Sequence, residues 1–171
     1  MQSKSSSRSS LLAIDPGNTS GVVVVTIAAA PKLLFWTQIK IKKKGEELPS
    51  SLIARLKEEH DIVAAAIEDQ FYLRNINSLK VLSKTAGRWE EACLAAGLES
   101  VEWINPKTWQ TALFGKTMRR DQFKAASCAM AKAETRQLLP VDVADAYCIG
   151  RFLAIRTWLF SSPGTRRGAA L

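Results

Sequence analysis

The stretch Leu11–Val25, "LLAIDPGNTSGVVVV", holds two apolar runs joined by a tight link. The first run ends on Asp15. Pro16, Gly17 and Asn18 suit a turn: proline presets φ, glycine accepts positive φ, and asparagine can bond its own backbone. Gly21 opens the second run, whose β-branched residues read as a strand. Two strands linked so closely pair antiparallel. An aspartate at the tip of a buried strand then admits three readings: a turn former, part of a phosphate loop, or a metal ligand.

Leu11–Asp15 and Gly21–Ile27 are thus the first two strands. Leu33–Lys42, "LLFWTQIKIK", alternates towards its end and adds a third to the meander. Pro49-Ser50-Ser51 opens a helix to about His60. "IVAAAIED", Ile62–Asp69, is a fourth strand, and the helix before it lets it lie parallel to the first. A long helix is expected over Asn77–Ala96, stopped by Gly97. A short strand, Val101–Ile104, follows. Asn105-Pro106 begins a brief helix, "PKTWQTAL", and Phe114–Met118 is a loop. A helix over Arg120–Leu138 is broken by Pro140, and Asp142–Leu159 is the last helix. The order predicts an α/β fold: a five-stranded mixed sheet, three antiparallel strands plus two parallel, flanked by helices. That plan is characteristic of ribonuclease-H-like folds, and a fold alone does not give a function.

The 171 residues are 47% hydrophobic and 23% charged, which fits one globular domain. That domain is expected over residues 11–160. The Ser-rich residues 1–10 read as a disordered N-terminal tail and 161–171 as a flexible C-terminal one. Lys and Arg number 24 against 16 Asp and Glu, a net charge of +8. Such a surplus is the footprint of a nucleic-acid binder, though anionic membranes attract it too. No run reaches the ~18 apolar residues of a membrane span, and "MQSKSSSRSS" lacks the apolar core of a secretory signal. Cys93, Cys128 and Cys148 form no C-x-x-C pair, and His60 is the only histidine. A structural zinc site and a disulfide framework are both excluded on that count. The three thiols read as small core residues in a reducing cytosol, so the expected location is cytoplasmic. His60 reads as a surface residue at a helix end.

Four acidic residues stand in apolar contexts. Asp15 ends the first strand and Glu68 the fourth; Asp142 and Asp145, in "PVDVADAYCIG", share one helix face at i and i+3. If the two strands are parallel neighbours, Asp15 and Glu68 emerge at the same sheet end, where ligands gather in such sheets. Converging carboxylates repel one another, and a divalent cation removes the conflict. All-oxygen donors suit Mg²⁺ or Mn²⁺. Two such ions can hold the attacking water and the leaving oxygen of a phosphoryl displacement. Each residue also has a plainer reading alone: turn aspartate, strand-end charge, helix cap. Asp69 points to the opposite face from Glu68 and stays outside the set.

These segments resemble the RuvC family of Holliday-junction resolvases. "LAIDPGNTSG" is similar to its opening strand and turn, and "AAIEDQF" to its "AIEQ" strand with the aromatic that follows. "SLKVLSKTAG", "WINPKTWQTALFG" and "DVADAYCIG" are similar to three later family segments, in the same order. The resemblance covers about Leu11 to Ile155. It implies a homodimer that binds four-way DNA junctions and makes paired symmetric nicks by Mg²⁺-dependent hydrolysis, leaving 5′-phosphate and 3′-hydroxyl ends. No organic cofactor and no membrane are implied. Asp15, Glu68, Asp142 and Asp145 match the metal-binding catalytic carboxylates. Phe71 matches an aromatic used at the opened junction centre, and Arg119-Arg120 match a basic catalytic-loop segment, with Arg120 taken as the catalytic cation. The longer N-terminal tail and the divergent "KTAGRWEEACLAAG" suggest a bacteriophage-type member.

DNA contacts are expected from several basic and aromatic positions. Lys80, Lys84 and Arg88 recur every four residues and form one helical stripe, which could equally be an ordinary solvated face. Leu79, Leu82, Ala86, Trp89, Cys93 and Ala96 trace a seam on the same helix, expected to bury against the sheet or a second subunit. Phe71, Tyr72 and Arg74 follow Glu68 and suit stacking on an unpaired base. "KIKKKG", Lys40–Gly45, is a solvated strand end or a phosphate rail. Lys116, Arg119, Arg120 and Lys124 cluster near the presumed site, where a cation would offset charge on the cleaved phosphate. Three competing functions remain. An actin-like ATPase shares an Asp-x-Gly loop but needs a second domain; the others are a different ribonuclease-H-like nuclease, acting on RNA–DNA hybrids or ribosomal RNA, and a non-enzymatic junction binder.

Overall fold

The computed structural model describes residues 9–40, 49–69, 76–115 and 118–161, with the backbone alone at 76–78 and 120. Phe71, Tyr72, Arg74 and Lys116, the tails at 1–8 and 162–171, and most of the "KIKKKG" segment lie outside the described residues. So does the side chain of Arg120.

Five strands form one sheet: β1 (Ser10–Asp15), β2 (Ser20–Thr26), β3 (Leu33–Ile39), β4 (Ile62–Glu68) and β5 (Val101–Ile104). Their order is β3-β2-β1-β4-β5. The β1–β2 and β2–β3 pairs are antiparallel, and the β1–β4 and β4–β5 pairs are parallel. The expected mixed sheet is therefore present. β1 and β2 are buried almost from end to end, with apolar centres, because both of their faces are covered.

Among the described residues five helices surround the sheet: α1 (Pro49–Glu59), α2 (Ile76–Ala95), α3 (Pro106–Phe114), α4 (Arg120–Thr135) and α5 (Val141–Ser161). Leu11, Ala13, Val23 and Val25 point to one face and pack with Val143, Tyr147 and Ile149 of α5, Ala131 of α4 and Trp109 of α3. Leu12, Ile14, Val22 and Val24 point to the other, against Leu52, Ile53 and Leu56 of α1 and Trp89 and Cys93 of α2. The period of two along each strand thus separates two cores. Cys93 and Cys148 are buried and unbridged, and burial pushes both thiols up to about 12, so neither is a nucleophile at neutral pH. Among the described residues no helix is long and apolar enough to cross a membrane.

Three departures from the sequence expectation bear on the fold. α4 stops at Thr135 rather than running to Leu138. Arg136 takes the left-handed conformation (φ 60°, ψ 21°) and its N–H bonds to Lys132 O, closing the helix without glycine. Leu138, the expected end of the helix, is 81% exposed. The seam on α2 divides: Ala86, Trp89 and Cys93 are buried in the α1-side core and Ala96 packs on it, whereas Leu79 and Leu82 are only half-buried. β1 also begins one residue early, at Ser10, whose N–H bonds to Asp61 O.

Candidate active site

The site is set by strand register. Asp15 pairs with Gly21, and Gly21 pairs with Gln38, so these three residues lie in one row across β1, β2 and β3. On the other side of β1, Ile14 pairs with Ile67. One step further along the parallel pair sets Asp15 beside Glu68. Both side chains are on the α5 face, in phase with Ala13 and Ala66.

Gly21 lets the helix reach that row. A Cβ there would lie 2.0 Å from Asp142 O and 2.7 Å from Val143 N. The backbone of the first turn of α5 therefore rests directly on β2, and only glycine leaves room for it. Farther along, a Cβ on Gly150 would sit 3.1 Å from the Ala13 methyl. The two glycines hold α5 close along β1 and β2. The start of α5 consequently delivers Asp142 and Asp145 to the end of the sheet where Asp15 and Glu68 emerge.

The electrostatics record the meeting. Burial, then the charges of Glu68 and Asp145, a hydrogen bond with Glu68 and the charge of Asp142 together raise Asp15 well above the ordinary carboxyl value of 3.8. The other three predicted carboxylates thus all act on Asp15. Two are gripped from outside the set. Trp109 Nε1 of α3 donates to Glu68 Oε1 at 2.9 Å, and Gln38 Nε2 of β3 donates to Asp142 Oδ2 at 3.3 Å. The turn after Asp15 is anchored too: buried Ser20 Oγ accepts from Trp89 Nε1 at 3.0 Å and from Gly17 N at 3.4 Å.

The other predicted residues fall at varied distances from this centre. Lys124 of α4 is exposed, and both its charge and that of Asp145 act on the Cys128 thiol. Arg119 is exposed at the start of α4, with its N–H bonded to Gln122 Oε1 at 2.8 Å. Lys80, Lys84 and Arg88 are exposed on α2, which covers the opposite face of the sheet from α5. His60 follows α1 beside the Phe35 ring, and its carbonyl accepts from Ser10 Oγ at the opposite end of β1 from Asp15. Sequence reasoning missed Gly21, Gln38 and Trp109. The glycine at the head of a β-branched run was a signal in hindsight; the two donors carry none, because they depend on register and packing.

A set of acidic oxygens alone can accept protons, or bind a hard cation such as Mg²⁺ or Mn²⁺. The donors fit such an ion in chemistry: oxygen only, mutually repelling, at the strand ends where α/β sheets bind ligands. Among the described residues, no three His, Cys, Asp or Glu side chains already form a group that could hold a metal ion.

By sequence, the chain matches no protein-family profile and no curated protein. By structure it is similar to Thermus thermophilus RuvC in complex with Holliday junction substrate, with TM-score 0.69 and 20% identity over 91% of this chain and 96% of that one. This chain has the RuvC fold. A second Thermus thermophilus RuvC structure gives TM-score 0.69 and 20% identity, covering 86% of this chain and 95% of that one. The yeast mitochondrial Holliday junction resolvase Ydc2 is more distant, with TM-score 0.54 and 17% identity over 86% of this chain and 78% of that one. Within the RuvC fold, Asp15 and Glu68 occupy the ends of the two central parallel strands, and Asp142 and Asp145 the first turns of the helix that crosses them.

Proposed function

We propose that this chain is a Holliday-junction resolvase, an endodeoxyribonuclease that makes paired symmetric nicks in four-way junctions by divalent-metal-dependent hydrolysis. The observation that carries the reading is Asp15, buried and raised by that burial and by Glu68, Asp145 and Asp142 at one end of a RuvC-fold sheet. Two solved proteins of this fold support the substrate: one is in complex with Holliday junction substrate, and the other is named a Holliday junction resolvase. The net charge of +8 suits a polyanion.

Asp15, Glu68, Asp142 and Asp145 are the metal donors in this reading. When bound, two Mg²⁺ ions, or Mn²⁺ in their place, would supply a polarised water and a stabilised leaving oxygen. Trp109 and Gln38 hold the flanking carboxylates. Arg120, with Arg119, Lys116 and Lys124 nearby in sequence, offsets charge developing on the phosphate. Phe71, Tyr72 and Arg74 stack on bases unpaired at the junction, and Lys80, Lys84 and Arg88 carry phosphate contacts. Two symmetric nicks require two sites, hence a homodimer, acting in the cytoplasm. The divergence in the middle of the chain favours a bacteriophage-type member.

The test incubates the chain with a synthetic four-way junction, a linear duplex and an RNA–DNA hybrid, with and without Mg²⁺. Paired nicks confined to the junction and dependent on Mg²⁺ are expected. Equal cutting of hybrid and junction would move the chain to another nuclease class. Sedimentation should show a dimer.

A further inference from the structure

Trp109 lies in the second turn of α3 and is 1% exposed. α3 is firmly placed there: Asn105 Oδ1 caps it by accepting from Lys107 N at 2.9 Å, and Pro106 takes the first helical position. The indole meets the Phe114 ring edge-on at 6.3 Å, and Phe114 in turn lies 6.3 Å from Phe123 of α4. It also belongs to the core beneath α5. Ring rotation is therefore blocked, and the N–H has one fixed direction. Along that direction stands Glu68 Oε1 at 2.9 Å.

An indole N–H is a donor only, and it does not ligate cations. It can orient a carboxylate without competing for the ion that the carboxylate receives. Glu68 is the last residue of β4, and its carboxylate also hydrogen-bonds with Asp15. We propose that Trp109 is a positioning residue: its indole N–H holds the Glu68 carboxylate in the orientation that receives a divalent cation. The inference rests on the reading of Glu68 as a metal ligand. Partners that orient a ligand from behind typically govern 10–100-fold in metal affinity.

The alternative is that Glu68 merely satisfies a buried indole. In that case loss of the N–H costs stability and leaves metal affinity alone. Trp109→Phe keeps an aromatic ring in the core and removes the donor, and calorimetric titration with Mn²⁺ reads the effect directly. We expect 10–100-fold weaker Mn²⁺ binding by Trp109→Phe. In a Glu68→Ala background the same substitution should add no loss, because its target is gone. With Mg²⁺ below saturation, kcat should fall while KM for the junction stays put, and excess Mg²⁺ should restore it. Mn²⁺ affinity within twofold of wild type, or an equal loss in the Glu68→Ala background, overturns the proposal. If Trp109→Phe does not fold, Trp109→Gln and Trp109→Met replace it, similar in bulk but with a donor only in the first. Tighter Mn²⁺ binding by the Gln variant supports the proposal, and equal binding overturns it. A wild-type chain that takes up no Mn²⁺ sinks the metal-site reading as well; a wild type that binds while Trp109→Phe matches it sinks only the role of Trp109.

Discussion

Asp15 is costly to ionise, because burial and three neighbouring carboxylates all act in the same direction. That cost has a sign that can be measured. The folded-state value lies above the ordinary 3.8, so over that interval the folded chain keeps a proton the unfolded chain releases. Stability therefore falls as pH rises from 3.8 through the raised value, and the loss is complete above it. Asp15→Asn removes the penalty. With a chelator present, the variant should unfold at a higher denaturant concentration than wild type at pH 7, with the advantage gone below about pH 3.8. A variant less stable at pH 7 would show that the carboxylates do not repel as described. Added Mg²⁺ should raise the melting temperature of wild type and leave Asp15→Asn largely unmoved, since a ligand stabilises only the state that binds it.

At the scale of elements, the contact of α5 with β2 decides whether a site exists. Gly21→Ala sets a methyl against Asp142 and Val143 backbone, neither of which can move without lifting the helix. Urea denaturation should find it at the upper end of the ~1–3 kcal/mol that overpacking costs, with junction cleavage lost as Asp142 is displaced. Gly150→Ala meets side-chain atoms at 3.1–3.2 Å and gains helix propensity, so its change should be much smaller. Equal effects at the two glycines would contradict the packing account. The elements themselves were largely legible. Four β-branched residues in a row at Val22–Val25, or an Asn-Pro before "KTWQTAL", leave few alternatives. The end of α4 was not legible, because Arg136 reverses the chain in a conformation that favours glycine, and nothing in "ETRQLLP" signals it. The carboxylates could be found because Asp15 and Glu68 sit where an apolar strand stops and Asp142 and Asp145 share one face of an otherwise apolar helix start. Trp109 and Gln38 could not, because their partners lie 41 and 104 residues away along the chain.

For the whole molecule, the surplus of positive charge should dominate affinity for DNA. Junction binding should weaken steeply with salt, and each phosphate contact removed should lower the log–log slope by about 0.9. Replacing Lys80, Lys84 and Arg88 together by alanine should flatten that slope if the α2 stripe lies along a DNA arm; an unchanged slope would return the stripe to ordinary solvated surface. The most direct test of the central claim follows the two strands of a labelled four-way junction in Mg²⁺ with wild type and Asp15→Asn. Wild type should nick both strands symmetrically, leaving 5′-phosphate ends, and the variant should bind the junction with similar affinity yet cut neither strand. Cleavage by Asp15→Asn at the wild-type rate would contradict the account.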